Sequence, residues 1–185
     1  VLQLLSVVVV GIAVALMLIS PELVLIFGSP KYREAVYVIP PVAASVFFVF
    51  IYNILSMPQF YYEKTQFLMA ASMAAAGANV VLNFIFIRLF GYIAAGYTTL
   101  ACYMLYSVGH YIVSKRILVN EGIQENLMSP GFLVACSVFL IGASIICNLI
   151  FPYRILRYAI LLASAGLVFW KKELLQKTMA DIRKK

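Results

Sequence analysis

Apolar runs of roughly 20 residues succeed one another along the whole chain, each long enough for a helix to cross the hydrocarbon of a bilayer. Nothing else in the sequence constrains the fold as strongly. Only 11% of the 185 residues are charged and 64% are hydrophobic. A soluble domain carries about a quarter charged residues. The chain therefore reads as an all-α, polytopic membrane helical bundle.

Six transmembrane helices are expected, over about 2–27, 36–57, 66–87, 92–114, 131–151 and 155–172, with a basic tail at 173–185. Turn chemistry marks the breaks. SPKYRE at 29–34 offers Ser29 as a cap and Pro30 as a first-turn residue. Ser129 and Pro130 open the fifth span in the same way, Gly91 divides the third from the fourth, and FPYR at 151–154 divides the fifth from the sixth. Pro40 and Pro41 fall inside the second span and are expected to kink its outer end, because proline removes backbone donors. Val1 already lies in an apolar run with no charged segment before it, so the chain reads as a piece whose N-terminal part is missing.

Basic residues orient the bundle. With loops alternating sides, one side holds five, Lys31, Arg33, Arg88, Arg154 and Arg157. The other holds nine: Lys64, Lys115, Arg116, Lys171, Lys172, Lys177, Arg183, Lys184 and Lys185. The larger count marks the cytoplasm. The C-terminus is thus expected in the cytoplasm, and the net charge of +7 becomes a rim that attracts anionic lipid and needs no nucleic acid. In the tail, Leu174, Leu175, Thr178, Met179 and Ile182 recur at helical spacing opposite lysines. That segment either lies along the inner membrane surface or stays solvated.

Catalytic material is sparse. The seven acids lie near span ends, in loops or in the tail, and there is one histidine. No nucleophile triad, acid–base pair or metal cluster can be assembled from these residues, so no catalytic group, metal or cofactor is expected. Cys102, Cys136 and Cys147 lie within spans at no redox or metal spacing and read as small packing residues.

What remains is uncharged polar lining. Ala71, Ala75, Asn79 and Asn83 recur every fourth residue on one face of the third span. Ala70, Ala74 and Ala78 run beside them and would let another helix approach closely. The amides must face that helix or an interior cavity, because lipid tails offer them no partner. Arg88 lies about 140° around the helix from Asn83, at the outer end of the span. It either snorkels to the headgroups or contacts a phosphate there. Thr99, Tyr103, Tyr106 and His110 form one stripe on the fourth span. That stripe lines a cavity or packs on the third span, and His110 is otherwise an interfacial residue. Tyr52 and Asn53 make a weaker polar spot in the second span.

The order of these motifs resembles a known family. IFGSPKYREA is followed by IPP, YYEKTQ and NVVLNFIFIRLFGYIAAGYTT. This is similar to bacterial oligosaccharide flippases, the polysaccharide-biosynthesis transporters of the multidrug/oligosaccharidyl-lipid/polysaccharide exporter superfamily. The matching positions are Gly28, Tyr32 and Ala35, then Lys64 and Thr65, then Asn79, Asn83, Phe90, Gly91, Ala94, Ala95 and Gly96. The last cluster reads Ala-Ala-Gly where the family more often has Gly-Ala-Ala. The resemblance covers about residues 20–116.

It implies the C-terminal part of a two-lobe transporter in the cytoplasmic membrane, working with an N-terminal lobe of the same protein. The implied activity is movement of a lipid-linked oligosaccharide, a polyprenyl-diphosphate glycan, across that membrane by alternating access. No bond is made or broken, so the implied protein is not an enzyme. Asn79, Asn83, Thr99, Tyr103, Tyr106 and His110 become candidate cavity residues, and Arg88 a candidate phosphate or headgroup contact. A drug/cation antiporter of the same superfamily would want a buried acid, which these spans lack. A glycan polymerase or acyltransferase would want catalytic Arg, His or Asp in a large outer loop, and the outer loops here are short. A purely structural membrane subunit also fits the residues.

Overall fold

Proline and glycine set most of the helix ends. The computed structural model describes residues 2–28, 30–123 and 127–170. Among them are six α-helices: α1 (Leu2–Phe27), α2 (Ile39–Tyr61), α3 (Gln66–Phe90), α4 (Ala94–Asn120), α5 (Pro130–Ile150) and α6 (Arg154–Trp170). A short 3₁₀ helix, Pro30–Tyr37, joins α1 to α2. Ser29 and the tail at 173–185 lie outside the described residues.

Pro40 and Pro41 sit in the first turn of α2, not inside it. The missing donors there have no intrahelical acceptor to lose, so the expected kink has no ladder to break. Pro21 does lie inside α1. It leaves the Met17 carbonyl without its helical donor, and the Ser20 hydroxyl donates to that carbonyl at 2.8 Å. Gly91 ends α3 with φ +77°, a left-handed conformation that favours glycine.

Cross-helix contacts give the direction of each helix. Ser107 Oγ of α4 donates to the Phe48 carbonyl of α2 at 2.9 Å. Seven residues later on both helices, the Ser114 hydroxyl donates to the Leu55 carbonyl. Matching increments mean that α2 and α4 run parallel, with α3 antiparallel to both. Tyr97, at the start of α4, accepts from Asn148 near the end of α5 at 2.8 Å. Glu22, near the end of α1, meets Arg157 at the start of α6. The helices thus alternate up and down.

The central element is α2, which packs against α1, α4 and α5. Its Ala43, Ala44, Phe47, Ile51 and Leu55 are buried. At its start, α4 comes so close that a Cβ on Gly96 would lie 2.8 Å from Pro41 Cγ and 2.9 Å from the Val38 carbonyl oxygen. By contrast, α3 packs against α4 and has no fully buried residue. Its side chains present apolar surface outward, as lipid contact allows. Helices α1, α2, α3 and α5 are each long and apolar enough to cross a membrane. Among the described residues the protein is all-helical, and its apolar helices mark it as a membrane protein.

Candidate functional site

A cavity of about 480 Å³ opens between α2, α3 and α4. Its polar wall comes from Tyr52 of α2, Ser72 and Asn79 of α3, and Thr99, Tyr103 and Tyr106 of α4. Ala75, Ala76, Val80 and Cys102 complete it. None of these residues carries a charge. Helical spacing explains the convergence, because Ser72, Ala76 and Asn79 fall on one face of α3 and Thr99, Tyr103 and Tyr106 on one face of α4.

The tyrosines shape the space. The rings of Tyr52 and Tyr103 are parallel within 3°, with centroids 6.3 Å apart. Tyr106 stands edge-on to Tyr52 at 4.7 Å. Its hydroxyl is 2.6 Å from Ser72 Oγ, tying α4 to α3. Aromatic faces beside amides and hydroxyls can bind a ligand that is apolar on one side and hydrogen-bonding on the other.

Of the seven candidate cavity and headgroup residues, four, Asn79, Thr99, Tyr103 and Tyr106, meet at this cavity, joined by Tyr52 from the weaker polar spot of the second span. Three do not line it. Asn83 donates to Asn79 Oδ1 at 2.8 Å and accepts from Thr98 Oγ1 at 2.5 Å. It anchors Asn79 and joins α3 to α4. His110 is fully buried behind Tyr106, its ring centroid 4.5 Å from that of Tyr106. It does not line the wall. Arg88 lies on the exposed side of α3, its guanidinium 3.8 Å above the Phe84 ring. Asn53 is satisfied by its own helix, donating to the Val49 carbonyl at 2.7 Å.

Two polar features were missed. Gln59 is fully buried and reaches His110 and Ser114 from α2. An amide two residues before the end of α2 was the available signal. Arg157, counted above among the loop cations, is 2% exposed. Its Nη1 and Nη2 hold Glu22 at 2.9 and 3.0 Å, and Nη1 also donates to the Leu18 carbonyl at 3.0 Å. Tyr158 donates to the same carboxylate at 2.8 Å. The acid that looked like a span-end residue is half of a bidentate pair joining α1 to α6.

An apolar groove of about 380 Å³ lies between α2, α4 and α5. Phe47, Ile51, Met104, Leu133 and Val138 are among its walls. Among the described residues, no three of His, Cys, Asp and Glu converge as metal ligands would. No family model matches the chain, and no curated protein and no solved structure is significantly similar to it.

Proposed function

We propose that the chain is part of a transporter that carries a lipid-linked oligosaccharide across the cytoplasmic membrane by alternating access. The observation that carries this reading is the cavity: amide, hydroxyl and phenol groups, with no charge, facing inward between helices of a membrane bundle. A glycan headgroup needs such groups to replace water, and their neutrality avoids the cost of a charge at membrane depth. The apolar groove bounded by α2, α4 and α5 is a matching environment for a polyprenyl tail.

In this reading all six helices cross the membrane, α4 and α6 included, and the C-terminus is cytoplasmic. An N-terminal lobe of the same protein would close the cavity and rock against this one. Arg88 would meet headgroups at the outer face. The order of motifs from Gly28 to Gly96 supports the reading, as does Glu22. An ion-driven drug antiporter would want that acid free, and it is committed to Arg157.

The test is genetic and chemical together. Asn79→Ala or Tyr103→Ala should lower surface polysaccharide at least several-fold while the lipid-linked precursor accumulates on the inner leaflet. Loss of the precursor itself would replace the transporter with a biosynthetic enzyme.

A further inference from the structure

Tyr106 separates the cavity from a second polar cluster that no lining residue shares. Gln59 of α2 and His110 of α4 are fully buried, and Ser114 is 1% exposed. The hydrogen bonds fix who donates. The Ser114 hydroxyl donates to the Leu55 carbonyl, so its oxygen can only accept from elsewhere. Gln59 Nε2, 3.1 Å from that oxygen, is therefore the donor. The same Nε2 is 2.8 Å from His110 Nδ1. Nδ1 must then accept, and a neutral ring carries its proton on Nε2.

The arrangement is one partner short on each side. Neither His110 Nε2 nor Gln59 Oε1 has a hydrogen-bond partner among the described residues. Buried polar atoms are rarely left so. Around the imidazole stand three rings: Tyr106 at 4.5 Å, Phe67 at 5.6 Å and Tyr52 at 5.8 Å between centroids. Tyr106 and Phe67 stand nearly perpendicular to the imidazole, and Tyr52 is tilted from it by 31°.

We infer that His110 is a buried proton-binding site, and that its charge state decides how Gln59 and Ser114 tie α4 to α2. The proton comes from water and ends on Nδ1. Gln59 Nε2 then faces an N–H where it had faced a lone pair, so the amide turns over. Its Oε1, idle before, accepts from Nδ1–H. The other lone pair of Oε1 takes the Ser114 hydroxyl, which leaves the Leu55 carbonyl. One of the two serine ties between α2 and α4 is thereby released, while Ser107 keeps the other.

Facing the imidazole, α2 presents Tyr52 and Gln59, α3 presents Phe67, and α4 presents Tyr106 and Ser114. The two tyrosines are the titratable groups among them. No carboxylate among the described residues lies within ion-pair distance of the ring. The Lys64–Glu121 pair sits on exposed side chains past the end of α2. None of this depends on what the cavity carries.

The chain has one histidine, so side-chain nitrogen NMR of the intact protein in lipid nanodiscs reads the site directly. The titration runs from about pH 9 to about pH 4, spanning the ordinary histidine range. The expected result is the Nε2–H tautomer at high pH and an imidazolium at low pH, with the Gln59 amide resonances moving at the same midpoint. Gln59→Glu, nearly isosteric, should raise the proton affinity of His110 about tenfold or more, as an adjacent opposite charge does. An Nδ1–H tautomer at high pH, a ring neutral throughout, or an unmoved midpoint in Gln59→Glu would overturn the inference. Should that variant fail to fold, the wild-type titration alone decides.

Discussion

Arg157 shows how far one residue's role can lie from its position in the sequence. It sits three residues into α6, beside the helix break, where a cation ordinarily reaches water. Here it is buried and its guanidinium is held by Glu22 and the Leu18 carbonyl. Removing one member of a buried pair leaves the other charge without compensation, which costs about 3–5 kcal/mol. We expect Arg157→Ala to destabilise the protein by that order, seen as a lower thermal midpoint in detergent. The double change Glu22→Leu/Arg157→Met should recover most of the loss, because apolar replacements of buried pairs are often neutral or better. A double variant no more stable than Arg157→Ala would mean that the two residues do not act as a pair. Their separation of 135 residues explains why the sequence hid them. Gln59 and His110, 51 apart, were hidden for the same reason.

Helix existence was far easier to read than helix neighbours. Long apolar runs broken at Gly91, at Ser129–Pro130 and at 151–154 left little choice of architecture, and the six helices follow those breaks closely. Face periodicity also reached some of the cavity, since Thr99, Tyr103 and Tyr106 share a stripe whatever they face. What periodicity omits is which helix lies opposite. That α2 and α4 are parallel neighbours, with α3 packed outside on α4, depends on packing between distant segments. Tyr52 therefore looked like a weak spot in its own span, although it stacks against Tyr103. Gly96 is the element-scale test of that α2–α4 seam. Its missing Cβ lets α4 approach Pro41 and the Val38 carbonyl. We expect Gly96→Ala to cost about 1–3 kcal/mol by overpacking. A thermal midpoint unchanged from wild type would show that the seam is looser than the structure has it.

At the scale of the whole molecule, polar groups form a seam along α4 beside an apolar core centred on α2. From Thr98 to Ser114 the helix rises about 24 Å, against a hydrocarbon core of about 30 Å. Thr98 meets Asn83, Tyr106 meets Ser72, and Ser114 meets Gln59 along that length. The cavity lies against the middle of the seam. A seam of this kind is useful to a transporter only if water reaches it. Thiol labelling tests that directly. In a background free of Cys102, Cys136 and Cys147, single changes Asn79→Cys, Thr99→Cys and Tyr103→Cys are exposed to a membrane-impermeant reagent. Val81→Cys and Ile85→Cys, at exposed apolar positions of α3, serve as lipid-facing controls. A water-filled cavity requires the first three to label readily and the controls to resist. Equal resistance at Asn79, Thr99 and Tyr103 would contradict a wet passage, and the transport reading would go with it.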